Sequence, residues 1–573
     1  MFEKVKIIRP KRSVFRLSYN NRTTQCIGEV VPSMAKLLMP GDTFKFGQVA
    51  TVEMQPMISP AKGDLWLESC AFFVPLDILA LEGEEKFTDI LVGQTDYQKA
   101  VPVPVWDLDK TNLDSDNNLV ATHYNTLWDK FGFPLNLPAT IDDEVTPMAY
   151  LQRGYNSIYN EWIRDENSDS EVALTSNAIQ TCCYKKDYFT SVFDSPQHGD
   201  APTLPLTGSA SAVWSEDLIG SLVGVIATAV KSLSKNYSPS QGVTSHNETV
   251  AGTEVSIAPD DSSPSNGHIS LDTDVTTTKV DSSSSQVLSK LKMKVTQDVI
   301  TLLNDNQIDL NDLITFNIDD LRLLNKLQKW LERTQLCGTR TKEFLLANYG
   351  LAPNDETLQR PVFLGRLRTP IQISSNLSSV ETATLPQGHK SGNGVGQNAV
   401  LFKKWTCKEP GIIYVVSFVR PKATYQQGIS REWIMRDIFD YPNPIFQDLG
   451  QQAVLNAEIY CQGTSADKGI AGYQENYVHF KTSNDINTGR LRIKSSGSDP
   501  TLETWSIQRK FGSLPDLTST KFLHVDPKDY AYLFNYQFED SPTNNIPAPQ
   551  MVITYSNVIK AIRPLHKRAM PSL

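Results

Sequence analysis

The chain has 573 residues, 33 Pro and 31 Gly among them, and a net charge of −10 with 40% hydrophobic residues. That length can bury a large core, and proline and glycine spread along it favour loops over long helices. The longest apolar run, 218-LIGSLVGVIATAV-230, is 13 residues, short of the roughly 20 needed to cross a bilayer, so a membrane anchor is excluded.

The N-terminus is basic. Residues 1 to 22 carry Lys4, Lys6, Arg9, Lys11, Arg12, Arg16 and Arg22 against Glu3, a net +6, and residues 560 to 573 carry Lys560, Arg563, Lys567 and Arg568, a net +4. The body from 23 to 559 therefore holds −20 of the total of −10. Basic ends on an acidic body suggest termini that meet a polyanion, with Lys4, Lys6, Arg9, Lys11, Arg12 and Arg16 as the expected nucleic-acid contacts and Phe15 and Tyr19 as rings that could stack on bases. The rival reading is an arm that clasps acidic surface on a neighbouring subunit. No apolar secretory segment follows the start, so export is not indicated and a reducing, cytoplasmic setting is expected.

Further along, 44-FKFGQVATVEM-54 alternates apolar and polar residues, the period of a half-buried strand. The denser run 65-LWLESCAFFVP-75 reads as a second strand, as do 411-GIIYVVSFVRP-421 and 551-MVITYSNVI-559. Residues 209 to 290 are rich in Ser, Thr, Asp and Gly and cannot bury a core of their own, so a surface insertion is expected there. After it, 319 to 351 reads as two helices, with Leu323, Leu327, Trp330 and Leu331 on one stripe and Gly338 as the stop.

Candidate chemistry fails test by test. Asp114, Asp116 and Asn118 begin like a calcium loop, but the sixth position is Leu119 and the twelfth Asn125. The glycines of 392-GNGVG-396 lack the spacing and flanks of a phosphate cradle, so a flexible loop is expected. The eight histidines, among them His479 and His524, include no pair at helical ligand spacing. Seven cysteines are odd in number and contain no C-x-x-C pair, which suggests neither a disulfide framework nor a zinc site but buried free thiols. The carboxylates of 142-DDE-144 and Asp319 with Asp320 read as solvated surface. No catalytic residue, metal ligand or cofactor is expected.

The most distinctive stretch is 424-TYQQGISREWIMRDIFDYPNPIFQDLGQQAVLNAEIY-460, whose large flat side chains suit packing against neighbours. Together with 38-LMPGDTFKFGQVATVEMQPMISP-60, 71-AFFVPLDIL-79, 150-YLQRGYNSIYNEWIRDENS-168, 187-DYFTSVFDSPQHGDAPTLPL-206, 328-QKWLERTQLCGTRTKEFL-345 and 359-QRPVFLGRLRTPIQI-373, it resembles the major capsid protein of the Microviridae, gokushovirus branch. The resemblance implies a mainly β fold, an eight-stranded antiparallel jelly roll of viral capsid type with long loop insertions and a few short helices. It implies a T=1 icosahedral shell around a circular single-stranded DNA genome, assembled in the cytoplasm of a bacterial host and carried in the virion. The partners it implies are further copies of the chain, the DNA, an internal scaffolding protein, a small basic DNA-associated protein, a DNA pilot protein and a host surface receptor. The expected organisation is a basic arm to residue 22, a first part of the jelly roll over 23 to 208, an insertion over 209 to 318 that protrudes, helices and the second part over 319 to 559, and a basic tail over 560 to 573. Trp433, Tyr441 and Phe446 are the expected subunit-interface residues. The alternatives are a spike or adhesin that binds a receptor through the insertion, and an enzyme on a β scaffold.

Overall fold

The computed structural model describes residues 11–93, 103–202, 253–255, 269–271, 318–338, 340–381, 386–447, 449–493, 501–535 and 548–568. The chain divides into two compact units, residues 1–201 with 328–573, and residues 202–327. In the second unit the described residues include one short antiparallel pair, Thr253–Val255 with Ile269–Leu271. The rest of the expected insertion up to residue 317, with its apolar run, lies outside the described residues.

The first unit is built on one antiparallel sheet. Its strands are β1 (Ser13–Arg16), β2 (Tyr19–Gln25), β3 (Val31–Leu38), β4 (Thr43–Met54), β5 (Leu65–Pro75), β6 (Val362–Leu377), β7 (Lys390–Leu401), β8 (Trp405–Thr406), β9 (Gly411–Pro421) and β10 (Met551–Arg563). The main path runs β1–β10–β4–β7–β6–β5–β9–β3, with β2 beside β10 and β8 beside β4. The mainly β, jelly-roll type of fold expected from sequence is the fold observed. Among the described residues ten strands share the sheet where eight were expected, because β1 and β2 both pair with β10 and β8 adds two residues on β4.

The path falls into two halves. In one, β2, β10, β4 and β7 are neighbours; in the other, β6, β5, β9 and β3. They join where Gln372–Leu377 of β6 pairs with Lys390–Val395 of β7. The sheet curls there until the halves face each other, so that Phe44, Phe46 and Ile559 from one pack with Met34, Phe73 and Ile413 from the other. A second apolar cluster sets Ala50, Val52 and Ile553 with Leu65, Leu67 and Val419. Between the two clusters the same inward positions turn polar on five strands: Ser33, Gln48, Ser69, Ser417 and Asn557 are all fully buried or nearly so. Gln48 Nε2 donates to Ser33 Oγ at 2.9 Å and to Asn557 Oδ1 at 2.9 Å, and the Ser69 and Ser417 hydroxyls bond at 2.9 Å. Buried polar groups are tolerated when they satisfy one another, and this belt ties both halves together in one register.

The continuous apolar runs of β5 and β9 have a structural cause. Their inward residues fill the sandwich, while Phe72, Val74, Ile412 and Tyr414 face outward under a layer built from residues 103 to 184, including helix α1 (Tyr150–Ile158). The Tyr414 hydroxyl donates to the carbonyls of Tyr150 at 3.0 Å and Leu151 at 3.1 Å. A strand covered on both faces has no solvent side on which to alternate.

The expected helix pair is α2 (Ile318–Cys337) and α3 (Thr341–Tyr349), broken at Gly338 with φ of +88°. Leu323, Leu327 and Trp330 of the expected stripe are exposed, and the buried residues of the last turns are Thr334 and Gln335. The expected GNGVG loop is a correction: the segment lies inside β7. Its glycines serve close approach, since a Cβ at Gly392 would sit 2.6 Å from the Ser59 carbonyl and one at Gly394 2.4 Å from Met54 Sδ.

Candidate functional site

The stretch 424–460 is carried on loops and short turns. Three 3₁₀ turns, Arg431–Trp433, Ile438–Asp440 and Pro444–Phe446, lead into a short strand at Gln451–Leu455. Asp437 and Asn443 cap the second and third turns by accepting from Phe439 N and Ile445 N. Proline and capping residues favour such turns over a helix. Trp433 is 75% exposed, Ile438 71% and Ile445 82%, with Tyr441 and Phe439 also open. Phe446 is half-buried with its ring 5.0 Å from that of Phe439. Of the three expected interface residues, the structure thus places Trp433 and Tyr441 in solvent and Phe446 at the base of the same ridge.

What holds this ridge is a buried charge network that the sequence did not reveal. Arg431 Nη1 donates to the Ala453 carbonyl at 2.7 Å and to Glu458 Oε1 at 3.1 Å, and Nη2 donates to Asp440 Oδ1 at 2.7 Å. Tyr188 Oη donates to Glu458 Oε2 at 2.6 Å. Burial is the largest influence on Glu458 and raises its carboxyl despite these partners. Nearby, burial and then the Arg431 charge push the His479 imidazole down to about 4, and both its ring nitrogens are buried without a hydrogen bond to a described residue. Exposed apolar side chains thus stand on a base held by buried, charge-assisted hydrogen bonds.

The second surface is the open face of the half containing β2, β10, β4 and β7. Cross-strand register sets Arg16 opposite Lys560 and Lys560 opposite Lys45. Directly opposed residues share a face, and all three are exposed. None makes an ion pair with a described residue. Both basic ends of the sequence therefore meet in one row on three adjoining strands. Within the expected basic arm and tail, residues 13–16, 19–22 and 560–563 are strand, because N- and C-terminal segments pair with each other. Lys11 and Arg12 are exposed just ahead of β1, while Lys4, Lys6 and Arg9 lie outside the described residues. Phe15 and Tyr19 fall on the alternate, half-buried positions, and Tyr19 packs beside the apolar cluster with Lys36 Nζ 4.5 Å from its ring centre. They are turned away from the basic row.

The motif candidates resolve into structural roles. Asp114 Oδ1 accepts from Asp116 N at 3.0 Å and Asn118 N at 2.7 Å, which closes a turn on itself. Asp142, Glu144, Asp319 and Asp320 are exposed. All seven cysteines are free, five of them buried, and burial pushes the Cys70, Cys182 and Cys407 thiols up to about 12. Asp169, Cys183 and His524 come together without making a nucleophile relay. His524 Nε2 faces both Asp169 Oδ2, at 2.6 Å, and Cys183 Sγ, at 3.6 Å, while Nδ1 contacts Thr181 Oγ1 at 2.9 Å. A catalytic relay needs acid and nucleophile on different ring nitrogens.

A scan against protein families matches residues 3–559 to the family described as capsid protein (F protein). The chain belongs to that family. Three curated capsid proteins VP1 are similar to it. That of Chlamydia phage 1 is 25% identical over 100% of this chain and 97% of its own length. That of Spiroplasma virus 4 is 27% identical over 96% and 92%, and that of Bdellovibrio phage phiMH2K 25% identical over 91% and 89%. The gokushovirus-like resemblance drawn from the sequence blocks is borne out. As a capsid protein of a small single-stranded DNA phage, the molecule is a structural component of a virion that assembles with copies of itself, and it is not an enzyme. The ridge and the basic face are then two surfaces of a shell subunit.

Proposed function

We propose that this capsid protein closes into a T=1 icosahedral shell around a circular single-stranded DNA genome, with the ridge at Trp433, Tyr441 and Phe446 joining subunits and the basic face turned to the genome. The observation that carries this reading is the row Arg16, Lys560 and Lys45. Like charges set directly opposite on neighbouring strands destabilise a sheet, and phosphates laid across them remove that cost without reading sequence. Lys4, Lys6, Arg9, Lys11 and Arg12 continue the same charge toward the N-terminus.

The −20 body opposes neutralisation of the genome by the shell alone. A small basic DNA-associated protein supplies most of the counter-charge, with an internal scaffolding protein and a DNA pilot protein as further partners during assembly in the host cytoplasm. Residues 209 to 318 form an outward protrusion that contacts a host surface receptor. The separate compact unit at 202–327 supports a boundary of this kind.

The test replaces Arg16, Lys45 and Lys560 with Gln and separates filled from empty particles by sedimentation. A fall in filled particles while empty shells still close is the expected result. Loss of empty shells as well assigns the row to protein contacts. Shortening the 209 to 318 segment is expected to leave particles intact and reduce attachment to host cells, and unchanged attachment removes its receptor role.

A further inference from the structure

Asp169, Cys183 and His524 are each about nine-tenths buried, and one donor atom from each lies within 4.8 Å of the others. They come from separate parts of the chain, 341 residues apart for Cys183 and His524. Cys183 also lines a cavity of about 780 Å³. We propose that this cluster binds a zinc-class divalent cation, held by Asp169 Oδ2, Cys183 Sγ and His524 Nε2.

The donor set is that of zinc: an imidazole nitrogen, a thiolate sulfur and a carboxylate oxygen. Around a tetrahedral zinc the usual bond lengths put nitrogen and sulfur about 3.5 Å apart and nitrogen and oxygen about 3.3 Å apart. The observed N···S distance of 3.6 Å already fits. The N···O distance of 2.6 Å is shorter because a proton, not a metal, bridges His524 and Asp169. Binding therefore replaces that proton, removes the thiol proton of Cys183, and needs the His524 and Asp169 side chains to separate by less than about 1 Å.

Two further features point to a ligand. Thr181 Oγ1, 2.9 Å from His524 Nδ1, can accept that N–H and leave Nε2 as the donor aimed into the cluster, the outer contact that histidine ligands of metals commonly make. Asp169 Oδ1 is buried with no geometric hydrogen bond to a described residue. Neither the odd cysteine count nor the absence of C-x-x-C bears on such a site, since its ligands meet only in the fold. A cation there would pin the 164–183 segment to the segment that leads toward β10.

The test titrates the chelator-treated full chain with Co²⁺ and follows its visible and near-ultraviolet absorption. The expected result is a thiolate-to-cobalt charge-transfer band with intense tetrahedral ligand-field bands, saturating at one equivalent and erased by Zn²⁺. Cys183→Ser is expected to abolish the charge-transfer band. Because six other thiols are present, a band that persists in folded Cys183→Ser overturns the proposal, as does its absence from the parent chain. If Cys183→Ser does not fold, Thr181→Ala decides: Co²⁺ affinity lower by about 10-fold or more supports the site, and unchanged affinity overturns it.

Discussion

The two halves of the sandwich spend the same strand periodicity differently. β5 and β9 are buried along nearly their whole length, with one face in the sandwich and the other under α1 and its neighbours. β4 and β10 alternate buried and open positions, and the open ones carry the basic row. A face that is covered contributes to stability and is lost to partners. A face left open contributes little to folding and is free to carry charge. Function in this subunit is therefore sought on the half that packs less and on the loops that project from the sandwich.

The comparison is broken most directly in the covered half. Phe73→Ala empties a fully buried ring site between the halves and is expected to cost about 3–5 kcal/mol, whereas Thr51→Ala on the open face should stay within about 0.5 kcal/mol. Urea unfolding of the subunit measures both, and equal losses would contradict the division.

Arg431→Met probes the base of the ridge. It leaves Glu458, its side chain only 1% exposed, charged without its cation, which is expected to cost about 3–5 kcal/mol. Adding Glu458→Gln should recover part of that loss in the same unfolding assay. The exposed side chains above are expected to behave differently. Trp433→Ala or Tyr441→Ala should leave subunit unfolding unchanged and weaken each subunit contact by about 2 kcal/mol or more if the residue anchors it, read as lower heat stability of assembled particles. Particles of normal stability from both variants would remove the interface role.

Acid should loosen the same region. His479 holds its imidazole at about 4 when folded against about 6.5 unfolded, so the neutral ring is favoured by the fold. Its contribution is complete above about pH 6.5 and is lost as pH falls toward 4, where the unfolded chain takes up a proton that the folded chain resists. His479→Phe, which gives up no hydrogen bond to a described residue, should flatten the fall in melting temperature over that window, and an unaltered pH profile would show that another group governs it.

The smallest effect belongs to the open face. Replacing Arg16, Lys45 and Lys560 with Gln should change subunit stability little and reduce the slope of log affinity against log salt for single-stranded DNA by about 2, at about 0.7 per phosphate contact. A slope unchanged within error would mean that DNA lies elsewhere.

Much of the fold was legible because periodicity and composition report burial: alternation marked β4, and dense β-branched and aromatic runs marked β5, β9 and β10. The sequence blocks carried the family. What stayed hidden depends on residues distant in the chain. The polar belt takes single residues from five strands, and no one strand contains a pattern that announces it. Arg431 and Glu458 stand 27 residues apart, and nothing in the sequence pairs them until the loops fold over them. GNGVG was misjudged because glycine signals both flexible turns and close backbone approach, and only the neighbouring strands decide between them. The basic ends were legible as charge, but their convergence is a matter of register: Arg16 reaches Lys45 only through Lys560.

The measurement that bears most directly on the central claim is a reconstruction of the assembled particle that places the β2–β10–β4–β7 face. The account predicts that Arg16, Lys560 and Lys45 line the lumen beside density for nucleic acid, with Trp433 and Tyr441 buried between subunits. Finding the basic row on the outer surface, or sealed beneath another subunit with no nucleic acid near it, would contradict the account.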